Sequence, residues 1–187
     1  VAQEARPLSL VEDVQEVLIP EEVLRARVQE LGHQISSDYE GKQPLLVGIL
    51  TGAVFFVADL MRAITIPCEL DFMATSAYGA GTENTGVVRI LKDLNESIEG
   101  RHVLVVDDIV DTGLTMDYLL TTLKARYPAS LAVCVLLDKV ERRRREVPLR
   151  YVGFQIPDRF VVGYGMDYAG LYRNLPYLCV LKPEVYR

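Results

Sequence analysis

The chain has 187 residues, half of them apolar, which is the size of one domain and enough to bury roughly 70% of the surface exposed on unfolding; general disorder and two catalytic domains in series are excluded. Twenty lysines and arginines against 26 acids give a net charge of −6, so indiscriminate attraction to nucleic acid or anionic lipid is excluded and any anion site is local. Cys68, Cys134 and Cys179 are widely spaced without metal-ligand spacing and read as core residues in a reducing compartment. No charged-then-apolar leader opens the chain and its longest mid-chain apolar run, residues 131–137, is too short to cross a bilayer, so the expectation is a cytoplasmic, membrane-free protein.

In chain order, Pro20-Glu21-Glu22 predicts a helix start, with proline tolerated in the first turn and acids at the positive dipole end. Val23, Leu24, Val28 and Leu31 form its core stripe. Residues 45–50 form a short apolar strand ended by Thr51-Gly52, followed by a helix carrying Phe55, Phe56, Leu60 and Met61. Ile66, Cys68, Leu70 and Phe72 alternate with Pro67, Glu69 and Asp71, the period of a half-buried strand ending near Ala74. Residues 76–86, SAYGAGTENTG, are glycine-rich and poor in large apolar groups, the composition of a mobile loop or loosely held hairpin. A second strand-helix-strand unit follows over 102–106, 115–125 and 131–137, and residues 151–156 and 160–162 supply further short strands. Near-continuous apolar strands alternating with helices predict an α/β domain with a mostly parallel sheet, ligands sitting at the strand C-termini.

The richest stretch is VLVVDDIVDTGLT, residues 103–115. A strand-to-helix turn of glycine and hydroxyl residues aims backbone N–H groups at one point, which suits a phosphate. It has neither the lysine of a P-loop nor the three glycines of a dinucleotide fingerprint. Asp107, Asp108 and Asp111 would repel one another in an empty buried site, and ribose hydroxyls or a divalent cation would offset that repulsion. Solvated strand-end acids, with Asp111 capping the helix, account for the turn equally well.

VVDDIVDTGLT resembles the phosphoribosyl pyrophosphate signature of type I phosphoribosyltransferases. LVGILTGAVFFVADL, LDFMATSAYG, VRILKDL, LLDKVERR and FQIPDRFVVGYGMDYAGLYRNLPY, in that order from about residue 11 to the C-terminus, are similar to the hypoxanthine-guanine phosphoribosyltransferases. The resemblance implies one domain over 1–187 with the type I phosphoribosyltransferase fold: a central, mostly parallel twisted sheet, a small hood over the base from about 1–20 and about 150–187, and a flexible lid over about 75–88. It implies magnesium-dependent transfer of the phosphoribosyl group from phosphoribosyl pyrophosphate to hypoxanthine or guanine in purine salvage, by a homodimer or homotetramer.

Residue by residue, the resemblance implies that Asp107 and Asp108 hold the ribose hydroxyls and magnesium, that Asp111 takes a proton of the purine imidazole, and that Thr112, Gly113, Leu114 and Thr115 receive the 5′-phosphate. Leu50, Thr51 and Gly52 match the pyrophosphate loop, whose peptide can be non-trans. Lys139 matches the lysine that reads the exocyclic oxygen, Phe160 the ring that stacks on the base, and Val161 the main chain that bonds its edge. Asp167 matches a second magnesium ligand and Arg173 the pyrophosphate clamp, a fork suited to phosphate oxygens. Ser76, Ala77, Tyr78 and Gly79 match the lid. Three positions depart from the usual pattern: Asp107 stands for glutamate, Thr51 for lysine or arginine, and Ala77 for serine. Arg142 to Arg145 read first as a solvated helix end or turn, with Arg143 at the family position for an arginine near the phosphates or the subunit interface. An RNA-binding regulator on the same fold and a sister transferase preferring xanthine are the competing readings.

Overall fold

The computed structural model describes residues 10–77 and 88–186. Its elements are β1 (Val14–Ile19), α1 (Glu21–Asp38), β2 (Leu45–Leu50), α2 (Val54–Ala63), β3 (Glu69–Ala77), β4 (Val88–Lys92), β5 (His102–Val110), α3 (Leu114–Lys124), β6 (Ser130–Asp138), β7 (Leu149–Gln155) and β8 (Leu178–Leu181), with short 3-10 turns at Val140–Arg142 and Pro183–Val185. Six strands form one sheet in the order β4-β3-β2-β5-β6-β7. All neighbours in it are parallel except the β3–β4 pair, so the expected mostly parallel α/β architecture is present.

The two sides of each strand feed two cores, as a period of two requires. Leu46, Leu104, Val106, Cys134 and Leu136 pack with Leu24, Leu31, Phe56 and Leu60 of α1 and α2. Leu45, Val47, Val103, Val105, Val133 and Val135 pack with Met116, Leu119 and Leu123 of α3. The three central strands are therefore covered on both faces, which is why they read as unbroken apolar runs. On the helices, Val23 and Phe55 are exposed, contrary to the predicted stripes, while Leu24, Val28, Leu31, Phe56 and Leu60 are buried.

Where α1 crosses α2 the backbones approach closely. A Cβ on Gly32 would lie 2.8 Å from the Ala63 carbonyl oxygen, so Gly32→Val is expected to cost about 1–3 kcal/mol by overpacking, read as a fall in the urea unfolding midpoint.

β3 differs from its prediction: it begins at Glu69 and runs to Ala77, so Ile66 and Cys68 precede it. Its phase differs too, because Leu70 is exposed and Asp71 is buried. A polar side chain belongs inside only when its lone pairs are satisfied. Asp71 accepts from the backbone amides of Phe72 (2.7 Å) and Asn95 (2.7 Å), from the Asn95 side chain (3.1 Å) and from Lys92 Nζ (3.3 Å). Burial pushes its pKa up, but these donors outweigh it and hold the carboxyl below the ordinary range. A folded-state pKa held below the unfolded one contributes stability that is present above the unfolded pKa and lost as pH falls through the folded one. Asp71→Ala is therefore expected to cost about 1–3 kcal/mol at neutral pH, by leaving the Phe72 and Asn95 amides without their acceptor, with a smaller gap from the parent at acid pH in parallel urea titrations.

β1 and β8 form a separate antiparallel pair over a small core of Val162, Tyr172, Leu175, Cys179 and Leu181. Both chain ends thus meet in one subdomain. Leu149–Gln155, which the sequence placed in the hood, is an edge strand of the large sheet. Of the strand predicted over 160–162, only Val162 pairs, bridging to Cys179.

Candidate active site

β5 runs four residues beyond its predicted end, so Asp107 and Asp108 lie in the strand rather than after it. Pairing with β6 enforces this: Asp107 is in register with Val135, Ile109 with Leu137 and Val110 with Asp138. Asp107 accepts from the Asp108 amide at 2.9 Å and Asp108 from the Ile109 amide at 2.7 Å. Burial, then the neighbouring Asp108 carboxylate, push the Asp107 pKa well up, and burial also raises that of Asp108. Two carboxylates held this way favour a ligand that supplies hydroxyls or positive charge.

The turn into α3 places Gly113 at the N-cap with φ of 82°. A side chain there would strike the Arg145 carbonyl oxygen, so the glycine is needed both for its conformation and for the close approach. No side chain caps α3; Asp111 does not act as its cap. The Asp111 Oδ1 atom is buried without a hydrogen bond, 3.4 Å from Arg142 Nε. A cavity of about 100 Å³ opens on this turn, lined by Asp107, Asp111, Thr112, Gly113 and Thr115 among others. A second of about 310 Å³ is lined by Leu50, Thr51, Gly52, Asp108, Asp167 and Arg173. Asp107, Ile109 and Thr115 line both, so the two lie side by side at the C-terminal ends of β2 and β5, where α/β sheets place ligands. A cavity of about 450 Å³ on the α1–α2 side, lined by Arg25, Phe55, Asp59 and Tyr164 among others, contains none of the predicted site residues.

At the end of β2 the Leu50–Thr51 peptide is cis, as the resemblance allowed. Gly52 and Gly165 are packed so tightly that a Cβ on Gly52 would enter the Asp108 carboxylate and one on Gly165 would strike the Gly52 carbonyl oxygen. Arg173 donates to the Gly165 carbonyl at 2.6 Å and pairs with Asp167 at 2.9 Å. Asp167 also accepts from the Gly170 amide at 2.7 Å. Loop, arginine and aspartate are thereby tied into one wall of the larger cavity.

Lys139 follows β6 and is 6% exposed, against the surface position expected of an isolated lysine. Its amide donates to the Val110 carbonyl at 3.0 Å, and its Nζ lies 3.6 Å from Asp158 Oδ1. Asp158 also pairs with Arg142 at 3.7 Å. Phe160 is half-exposed and Val161 buried.

Arg142, Arg144 and Arg145 are exposed, as expected of a solvated turn, whereas Arg143 is drawn inward. Arg143 forms a buried ion pair with Asp138, Arg142 faces Asp111 and Asp158, and Arg145 lies 3.4 Å from Asp117. The amides of Arg144 and Arg145 both donate to the Thr112 carbonyl, at 2.9 and 3.0 Å. The run is a strap laid over the turn at 111–113, held there by these backbone bonds and by the buried Arg143–Asp138 pair. Composition alone concealed this, because Asp138 arrives from β6 and Thr112 from the turn.

Ser76 and Ala77 end β3, where they pair with Arg89 and Val88 of β4; Tyr78 and Gly79 lie outside the described residues. Leu114 is the first residue of α3. Ile109, Thr75 and Asp158 were not singled out in the sequence, although all three fall within motifs that carry the resemblance. Among the described residues, no three acid, histidine or cysteine side chains converge as a ready-made metal cage. Magnesium needs no such cage, since one or two carboxylates plus ligand phosphates and water suffice. The all-oxygen donors Asp107, Asp108 and Asp167, around a cavity open to a ligand, fit that mode.

The phosphoribosyl transferase domain family matches residues 20–169. The hypoxanthine-guanine phosphoribosyltransferase of Bacillus subtilis is 48% identical over 174 residues, covering 93% of this chain and 97% of that protein. The bifunctional protein TilS/HprT of Listeria monocytogenes is 49% identical over 95% of this chain, which spans only 28% of that longer protein. A crystal structure of a hypoxanthine phosphoribosyltransferase from Staphylococcus aureus superimposes with a TM-score of 0.92 at 47% identity, covering 97% of this chain and all of that one. The family match over residues 20–169 and 48% identity over 93% of the chain to a hypoxanthine-guanine phosphoribosyltransferase identify it as a member of the phosphoribosyltransferase family, in its hypoxanthine-guanine branch.

Proposed function

We propose that the chain transfers the 5-phosphoribosyl group of phosphoribosyl pyrophosphate to hypoxanthine or guanine, giving the nucleotide and pyrophosphate in purine salvage. The observation that carries this reading is the pair of adjoining cavities sharing Asp107, Ile109 and Thr115. One is sized for a phosphate group on the α3 turn, and the other is bounded by the Leu50-Thr51-Gly52 loop and Arg173.

In this reading the backbone of Thr112, Gly113, Leu114 and Thr115, with the Thr115 hydroxyl, receives the 5′-phosphate. Asp107 and Asp108 accept from the ribose hydroxyls, an acceptor role that ionised carboxylates fill. The Leu50-Thr51-Gly52 loop and Arg173 hold the pyrophosphate. Asp107, Asp108 and Asp167 hold magnesium, which when bound neutralises charge on the departing pyrophosphate. The base lies against Phe160, its edge on the Val161 main chain, with the Lys139 ammonium donating to its exocyclic oxygen. An imidazole nitrogen of the base bonds to ribose C1 as the C1–pyrophosphate bond breaks, and Asp111 takes the proton that the ring gives up. The orphaned Asp111 Oδ1 supplies the acceptor for it. Ser76, Ala77, Tyr78 and Gly79 form a lid that keeps water from the cation-like sugar.

A homodimer or homotetramer is the assembly proposed, checked by sedimentation, and the cytoplasm the compartment. No helix among the described residues is long and apolar enough to cross a membrane.

Phosphoribosyl pyrophosphate is expected to raise the melting temperature only when magnesium is present, and EDTA to abolish nucleotide formation until magnesium is restored. Full activity in EDTA, or a thermal shift by the sugar donor that ignores magnesium, would contradict the acid-pair assignment. A specific, salt-resistant shift of RNA in place of turnover would favour the RNA-regulator reading.

A further inference from the structure

The wall that carries Phe160 has a second layer. Phe160 sits in an irregular segment between β7 and the bridge at Val162, where no regular hydrogen-bond ladder fixes its direction, yet its ring is half-exposed. Two tyrosines meet it, one from the adjoining segment and one from beyond β8. The Tyr168 ring lies edge-on with centroids 6.0 Å apart and planes at 86°, and the Tyr186 ring lies 6.1 Å away, tilted by 50°. The two tyrosine rings contact each other at 6.2 Å and 68°. All three distances and both near-perpendicular angles fall in the favourable range for aromatic pairs, so the rings form a closed triangle rather than a chain.

Each tyrosine is itself anchored. Tyr168 exchanges two backbone hydrogen bonds with Leu171, at 3.2 and 3.0 Å. Tyr186 follows the 3-10 turn Pro183–Val185, whose preceding residue Lys182 donates to the Asp13 carbonyl at 2.9 Å. The Asp13 carboxylate in turn accepts from the Tyr172 hydroxyl at 2.7 Å. The C-terminal segment is thus fastened to the N-terminal one, and Tyr186 is delivered to Phe160 by that fastening.

We propose that Tyr186 is a positioning residue for the purine: with Tyr168 it braces the Phe160 ring in the orientation that stacks on the base. The brace rests on the base-stacking role assigned to Phe160 above. A ring free to rotate must be ordered by the ligand that stacks on it, and bracing removes that cost before the base arrives. Tyr186 lines neither strand-end cavity, so the effect of removing it is expected on the base.

The test is steady-state kinetics on the full chain, with Tyr186→Ala, Tyr186→Phe and Phe160→Leu compared with the parent. Tyr186→Ala is expected to raise KM for hypoxanthine about fivefold, the worth of its pair with Phe160, with KM for phosphoribosyl pyrophosphate and kcat unchanged. Tyr186→Phe keeps the ring and is expected to restore the parent value, which separates bracing from any role of the hydroxyl. An unchanged hypoxanthine KM in Tyr186→Ala, or an equal rise for both substrates, would overturn the brace. Phe160→Leu tells the two failures apart. If it raises hypoxanthine KM while Tyr186→Ala does not, the brace alone fails; if it leaves hypoxanthine KM unchanged, the base site itself is misplaced and the brace falls with it.

Discussion

Asp111→Asn is expected to lower kcat by about a hundredfold or more, the usual contribution of a positioned general base, while KM for phosphoribosyl pyrophosphate stays unchanged. Asparagine keeps the shape of the side chain and its acceptor oxygen but takes no proton. The structure explains why this loss should not be absorbed by folding. Asp111 does not cap α3 and its Oδ1 makes no hydrogen bond; it pairs at 3.4 Å with the half-exposed Arg142. The substitution therefore removes chemistry from the turn at the cost of one solvent-screened ion pair, about 0–1 kcal/mol. Stopped single-turnover measurement separates the chemical step from product release. A burst rate equal to the parent's would strip Asp111 of the role.

Lys139→Ala is expected to fall on the base in the same selective way. A hydrogen bond from a charged donor contributes about 1.5–3 kcal/mol, so kcat/KM for hypoxanthine should drop roughly 10- to 150-fold. Lys139 is buried, and its amide is fixed to Val110, so the ammonium cannot swing out to solvent to avoid a mismatched ligand. An amino group facing that ammonium leaves two donors unsatisfied, which excludes adenine more strongly than the loss of one favourable contact would. Asp158, which Lys139 faces, is half-exposed and also faces Arg142, so deleting the lysine does not strand a buried charge. Equal losses toward hypoxanthine and phosphoribosyl pyrophosphate would show that Lys139 serves the whole site rather than the base.

The parts of this fold that sequence made legible are those governed by one rule at a time. β2, β5 and β6 are covered on both faces, so their apolar runs needed no phase to be assigned. α1 begins after Pro20 as its acids and proline require. β3 failed where two rules competed, since its period of two was visible but its phase depended on whether Asp71 could be satisfied inside. That answer lay in Lys92 and Asn95, more than twenty residues away. β1 was not marked out at all, because its pairing with β8 at the opposite end of the chain supplies what its mixed sequence lacks.

The site divides in the same manner. Asp107, Asp108, Asp111 and the 112–115 turn are close in sequence, and their spacing marks a phosphate-suited turn with clustered acids, but solvated acids fit that spacing equally well and the separate roles came from the resemblance. Lys139, Phe160 and Arg173 came only through the resemblance, since an isolated lysine or phenylalanine carries no local signature. The arginine run is exposed at Arg142, Arg144 and Arg145 as its composition suggested, and Arg143 alone departs because Asp138 at the end of β6 is positioned to take it up. Thr51 leaves the loop without the cation common at that position, so in the proposed site Arg173 is the positive charge lining the larger cavity.

The measurement that bears most directly on the central claim is an ultraviolet assay of nucleotide formation from phosphoribosyl pyrophosphate and magnesium, run separately with hypoxanthine, guanine, xanthine, adenine and uracil. Conversion of hypoxanthine and guanine, with none of adenine or uracil, is the predicted result. Turnover of adenine, or silence with every base, would contradict it.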